Sequence, residues 1–149
     1  MKISYLLLAV IFLTVAPIAI HAQFRKIPAE VTNAFHAKFP DSKNVEWKDK
    51  ITDFEADYQV GDTSFEARFD SDGNWLQTEK DIADSTMPAA VKDGFGKSKY
   101  TDWELKTVSW IENKSDGIQY RLLVRKNAIE KRFLYFNTSG KLLKDSITL

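Results

Sequence analysis

The chain contains no cysteine. That excludes a disulfide scaffold, a thiol nucleophile, a Cys-x-x-Cys redox site, a Cys-ligated zinc or cluster, and lipid attachment through an N-terminal cysteine. An excess of one charge sign is also missing, because 21 Lys and Arg balance 21 Asp and Glu over 149 residues. A neutral chain has no bulk attraction for nucleic acid. Gly-rich phosphate loops and a Gly-x-Ser-x-Gly elbow are absent as well. What remains is 44% hydrophobic, 28% charged and 13% aromatic. That composition describes one folded globular domain or two small ones.

Long apolar runs are confined to the start of the chain. Lys2 gives a positive beginning, Ile3 to Ile20 is almost wholly apolar, and Ile20-His21-Ala22 resembles a small-residue cleavage site. Residues 1–22 therefore read as a secretory signal peptide cut after Ala22. A membrane anchor is the rival reading, since the stretch is about long enough to span, but Pro17 and the cleavage-like end oppose it. The mature chain is expected to run over 23–149, in the periplasm or secreted, with no membrane attachment after cleavage. An exported chain without disulfides must rely on its core, and one of this size buries roughly two-thirds of its unfolded surface.

Within 23–149 the strongest feature is an internal repeat. Ile27-Pro28-Ala29-Glu30-Val31-Thr32-Asn33-Ala34-Phe35 matches Met87-Pro88-Ala89-Ala90-Val91-Lys92-Asp93-Gly94-Phe95. Both read as helix starts, with proline in the first turn where its missing N–H costs nothing. Val31, Ala34, Phe35 and Phe39 share a helical face, and Pro40 ends the helix. Phe69-Asp70-Ser71-Asp72-Gly73-Asn74-Trp75-Leu76 parallels Phe136-Asn137-Thr138-Ser139-Gly140-Lys141-Leu142-Leu143, each a Gly-containing hairpin. The second copy is longer, with extra residues expected around Asn113–Gly117 and Lys126–Ala128. Between these anchors the period is two: Phe54, Ala56, Tyr58 and Val60 alternate with polar residues, as do Ile118, Tyr120, Leu122 and Val124 with Gln119, Arg121, Leu123 and Arg125. The expected fold is α+β. Two repeats, 23–82 and 83–149, each hold a helix and about four antiparallel strands, with one sheet face packed on the helices and the other open.

The paired helix starts, Val45-Glu46-Trp47 and the Phe-Asp-x-Asp-Gly-x-Trp hairpin together resemble the PepSY-like, β-lactamase-inhibitor-like family of exported bacterial proteins. The resemblance implies helices behind one curved antiparallel sheet and a periplasmic or extracellular binding role. The disulfide-bonded inhibitors of this fold differ from this cysteine-free chain, and no inhibitory residue is matched.

Catalytic and metal chemistry find little support. His36 is the one histidine of the mature chain and reads as a helix-surface residue. Asp70, Asp72 and Asn74 evoke a calcium loop, but the sixth position is Trp75 rather than Gly, so a turn explains them. Asp49, Asp53, Glu55, Asp57, Asp62 and Glu66 supply carboxylates, yet they read as a solvated sheet face with no pair converging in a cleft. No cofactor is expected. Trp47 and Trp103 align with Val45 and Leu105 and read as core.

The open faces of the two repeats differ. The first carries Glu46, Lys48, Glu55, Asp57, Gln59, Glu66 and Arg68. The second carries Lys106, Val108, Trp110, Arg121, Leu123, Arg125, Lys131, Phe133 and Tyr135, with aromatic and basic groups interleaved as in interfaces. Residues 23–82 hold 8 Lys and Arg against 13 Asp and Glu, whereas 83–149 hold 12 against 8. A protein or peptide partner, acidic and partly apolar, is therefore expected on Trp110, Arg121, Leu123, Arg125, Lys131, Phe133 and Tyr135. Charge pairing between two copies in a homodimer is the alternative, and a carboxylate-based glycan hydrolase a weaker one.

Overall fold

The computed structural model describes residues 25–148, so the expected signal peptide lies outside the described residues. The chain forms helix α1 (Ala29–Lys38) and strands β1 (Lys43–Asp49), β2 (Phe54–Val60), β3 (Thr63–Phe69) and β4 (Trp75–Ile82). A single 3₁₀ turn at Asp84–Thr86 leads into α2 (Ala89–Gly96), β5 (Glu104–Asn113), β6 (Gly117–Arg125), β7 (Lys131–Asn137) and β8 (Leu142–Ile147). All eight strands make one antiparallel sheet in sequence order. Strand β4 pairs with β5, joining the two halves.

Pro28 and Pro88 occupy the residue before each helix, one position earlier than the first turn, and their carbonyls accept from Thr32 and Lys92. Helix α1 stops at Lys38, ahead of Pro40, because the residue before a proline avoids helical backbone. The extra length of the second half lies in the longer strands β5 and β6 and in the loop after Arg125.

Each helix covers its own cluster. Val31 and Phe35 pack on Phe54, Ala56, Tyr58, Ala67 and Phe69, with Phe39, Val45, Trp47 and Trp75 at the margin. Val91 packs with Val108, Leu122, Val124, Leu134 and Phe136, with Trp103 and Leu105 at the margin. Trp47 and Trp103 thus flank the cores they were expected to join. The pairings Ala56↔Ala67, Ala67↔Thr78, Thr78↔Glu112 and Glu112↔Ile118 carry one face across the sheet, so both clusters lie on the same side. The alternations keep their inward residues, although Val60 and Ile118 at the strand ends stay exposed.

The two hairpins do more than turn. Gly73 (φ 81°) and Gly140 (φ 79°) adopt left-handed backbone. A Cβ on Gly73 would sit 2.7 Å from the Glu30 carbonyl oxygen, and one on Gly140 would sit 2.0 Å from that of Ala90. Each hairpin tip is therefore pressed against the first turn of the helix in its own half. Gly94 serves the same contact from the helix, since its Cβ would meet the Gly140 oxygen at 1.9 Å. Asp70 and Asn137 hold the tips by accepting backbone N–H bonds from residues two and four positions on. The Asp70 carboxylate is thus engaged in its own turn, as a turn reading requires.

Replacing Gly140 by Ala is expected to cost at least about 3 kcal/mol, because it combines left-handed strain with a backbone clash. Gly61→Ala, at φ 58° with nothing within 4 Å, should cost only about 1–2 kcal/mol of strain. Urea unfolding of the two variants checks the difference; equal losses would show that the hairpin–helix contact carries no weight.

Candidate functional site

The face away from the helices has no covering element among the described residues. Its rows run straight across the sheet. Asp57 faces Glu66, Glu66 faces Glu79, and Glu79 faces Ile111. One row along, Asp81 faces Ser109, Ser109 faces Arg121, Arg121 faces Tyr135, and Tyr135 faces Lys144. Strands β1–β4 place Glu46, Glu55, Asp57, Glu66, Glu79 and Asp81 here against Lys48 and Arg68. Strands β5–β8 place Arg121, Arg125, Lys131 and Lys144 here against Glu104.

The acidic side is partly buried. Glu55, expected to face water, is only 4% exposed. Lys48 Nζ lies 3.2 Å, Lys50 Nζ 3.3 Å and Arg68 Nε 3.3 Å from its carboxylate, so three long cationic side chains cover it. Burial alone would raise the Glu55 pKa, but these three cations together bring it below the ordinary value. Lys48 also meets Asp57 at 2.5 Å, a bond that raises the lysine pKa.

One oxygen each from Glu55, Asp57 and Glu66 lies within 4.8 Å of the other two. The expectation that no acids converge is therefore corrected. Residues on adjacent strands become neighbours through register, which spacing along one chain does not reveal. These three could in principle ligate a cation, but the Lys48 ammonium already sits against two of them. Desolvation, and then the charges of Glu55 and Asp57, push the Glu66 pKa up. A cavity of about 550 Å³ opens over this region, lined among others by Glu46, Asp57, Gln59, Glu66, Glu79 and Asp81.

The other half is knitted internally. Arg121 pairs with the buried Glu79, reaches Ser109 Oγ at 3.3 Å and lies 4.9 Å above the Phe133 ring. Ser109 Oγ in turn donates to Asp81 at 2.7 Å. Burial raises the Glu79 pKa, while Arg121 pulls it the other way. Arg125 makes two bonds to Glu104, at 2.9 and 2.5 Å, and Lys106 meets the same residue at 2.9 Å. Leu123, Phe133 and Tyr135 are half-buried, Ile111 is covered, and Lys131 is exposed.

Two expected open-face residues are elsewhere. Val108 is buried against Leu122 and Val124, and Trp110 pairs with Tyr120 on the helix side, where Lys80 Nζ lies 5.7 Å over its ring. The cause is a bulge between Leu105 and Thr107, which absorbs Lys106 as an extra residue and reverses the alternation beyond it. Arg121, Leu123, Arg125, Lys131, Phe133 and Tyr135 stand where expected. Glu79, Asp81, Ser109 and Ile111 were missed; the only signal for them is the Glu79/Asp81 alternation, obscured because Thr78 and Lys80 on the other face are polar too. His36 is an exposed residue of α1, on the opposite side of the molecule's sheet.

The family model described as beta-lactamase-inhibitor-like, PepSY-like matches residues 53–144. The chain belongs to that family. A BLIP-like protein from Bacteroides fragilis NCTC 9343 is 25% identical to this PepSY-like chain, with a TM-score of 0.75 over 84% of this chain and 89% of that one. A DUF2874 family protein from Bacteroides ovatus ATCC 8483 shares the fold at 21% identity and TM-score 0.75, covering 83% and 89%. A protein from Bacteroides eggerthii DSM 20697 described as periplasmic shares it at 22% identity and TM-score 0.74, covering 83% and 90%. No curated protein matches the chain.

Because Glu79 is buried, Arg121→Ala should destabilise the PepSY-like fold by about 2–4 kcal/mol near neutral pH, leaving a carboxylate without its counter-charge. Burial holds the folded Glu79 pKa above 4.5. The folded state thus keeps that proton more tightly than the unfolded chain, and stability falls as pH rises through the interval between the two values. The penalty should shrink from about pH 7 to about pH 5. Urea titrations at both values test this; a pH-independent loss would contradict it.

Proposed function

We propose that the chain is an exported, non-enzymatic binding module that holds a protein or peptide on its uncovered sheet face. Two diverged copies of one helix-and-four-strand unit, fused through β4 and β5, build that face. The observation carrying this reading is the combination of a roughly 550 Å³ cavity over β1–β4 with a half-buried strip of Leu123, Phe133 and Tyr135 farther along the same sheet face. Interfaces favour such aromatic and arginine groups in a concave, partly desolvated setting. The BLIP-like relative and the family description support a binding role.

Export rests on the apolar residues 1–22 and on the relative described as periplasmic. No helix among the described residues is long and apolar enough to cross a membrane. Hydrolysis is disfavoured because two of the three acids nearest one another are already engaged: Lys48 binds Asp57, and Glu55 holds three cations. A second reading, self-association, draws on the opposite charges of the two halves of the face.

The test uses immobilised protein and a periplasmic extract. Wild type and His36→Ala should retain the same partner, while Leu123→Ser with Tyr135→Ala should weaken capture at least about tenfold with its circular dichroism unchanged. Equal capture by the double variant would refute the role of this face. Light scattering at low salt separates the second reading, which requires a dimer.

A further inference from the structure

The uncovered face also specifies the sign of what it binds. Most of its basic groups are not free to meet an acidic partner. Arg121 is held by Glu79, and Arg125 and Lys106 by Glu104. On the β1–β4 side the imbalance runs the other way. Glu66 and Asp81 line the cavity without any Lys or Arg nitrogen within ion-pair distance among the described residues, and so does Glu46. Among the described residues the cavity's one basic lining residue, Lys80, directs its ammonium over the Phe65 and Trp110 rings instead. A second observation points the same way. Asp57 Oδ1 is buried with no hydrogen-bond partner at this acidic floor, Lys48 being engaged with the other oxygen.

We infer that the partner is a polypeptide segment that places a lysine or arginine side chain in the cavity between Glu66 and Asp81 and lays apolar residues on Leu123 and Tyr135. This inference rests on the binding role proposed above and reverses the acidic partner expected from the sequence. A concave site whose charged lining is predominantly of one sign focuses the field and selects a cation during encounter. Lysine and arginine bring several N–H donors and no acceptor, matching a cavity rich in carboxylate oxygens. The apolar strip, reached from the cavity across β5 on the same face, calls for an extended chain and so distinguishes a polypeptide from a free polyamine, which would use only the acids.

The probes are two fluorescein-labelled peptides of equal length, one alternating Lys with Leu and Tyr, the other carrying Glu in place of Lys. Fluorescence anisotropy is read with the purified protein at about 20 mM salt, where screening is weak. The lysine peptide should bind at least about tenfold more tightly than the glutamate peptide. Glu66→Gln with Asp81→Asn, each keeping its shape, should remove at least about tenfold of that affinity while circular dichroism stays unchanged. Equal or tighter binding of the glutamate peptide, binding of neither, or an unaffected double variant overturns the inference. Full competition by spermidine at equal charge concentration also overturns it, because an amine alone would then suffice. If the captured partner is lost with Leu123→Ser and Tyr135→Ala but not with the acid variants, the binding face stands and its cation preference falls.

Discussion

The pairing of β4 with β5 is the constraint on which the rest depends. It turns two helix-covered halves into one eight-stranded sheet, with both clusters on one side. The join is not only backbone. Glu79 on β4 is buried and meets Arg121, which reaches across β5 from β6. A buried carboxylate without a partner would cost several kcal/mol, so the charge on each half is partly fixed by the other. The hairpin tips add a second constraint, since Gly73 and Gly140 let each turn touch a helix backbone and so set the helix positions.

Because both helices lie on one side, the opposite face must be made compatible with water by its own side chains. The two halves solve this differently. The first uses crowded acids with Lys48, Lys50 and Arg68 drawn over Glu55. The second pairs its arginines with Glu79 and Glu104 and carries Leu123, Phe133 and Tyr135 beside them. The neutrality of the whole chain therefore conceals a face with a negative, concave side and an apolar side whose arginines are neutralised. Local pairing, rather than the count of charges in each half, decides which sign is left for a partner.

Features whose causes are local were legible in the sequence. Proline before each helix, glycine in each hairpin and the alternation along β2, β6 and β7 are all dictated by backbone geometry within a few residues. The inward set from Phe54 to Tyr58 and the open positions of Arg121, Leu123, Phe133 and Tyr135 follow from that. Features that depend on register were not legible. A single extra residue at Lys106 moved Val108 and Trp110 to the helix side. The meeting of Glu55, Asp57 and Glu66 requires two strands to be laid side by side. The burial of Glu55 depends on side chains from β1, β3 and the β1–β2 loop, and the glycine contacts depend on where the helices dock. The family resemblance spans these features without naming any of them.

The most direct measurement of the central claim is a residue-by-residue map of contact on the sheet. Amide and side-chain NMR shifts would be followed as the lysine-bearing peptide is added to isotope-labelled protein. The account predicts perturbations concentrated at Asp57, Glu66, Glu79 and Asp81 and continuing to Leu123 and Tyr135, with α1 and α2 unmoved. Perturbations confined to the helix side or to the edge strands β1 and β8 would contradict it.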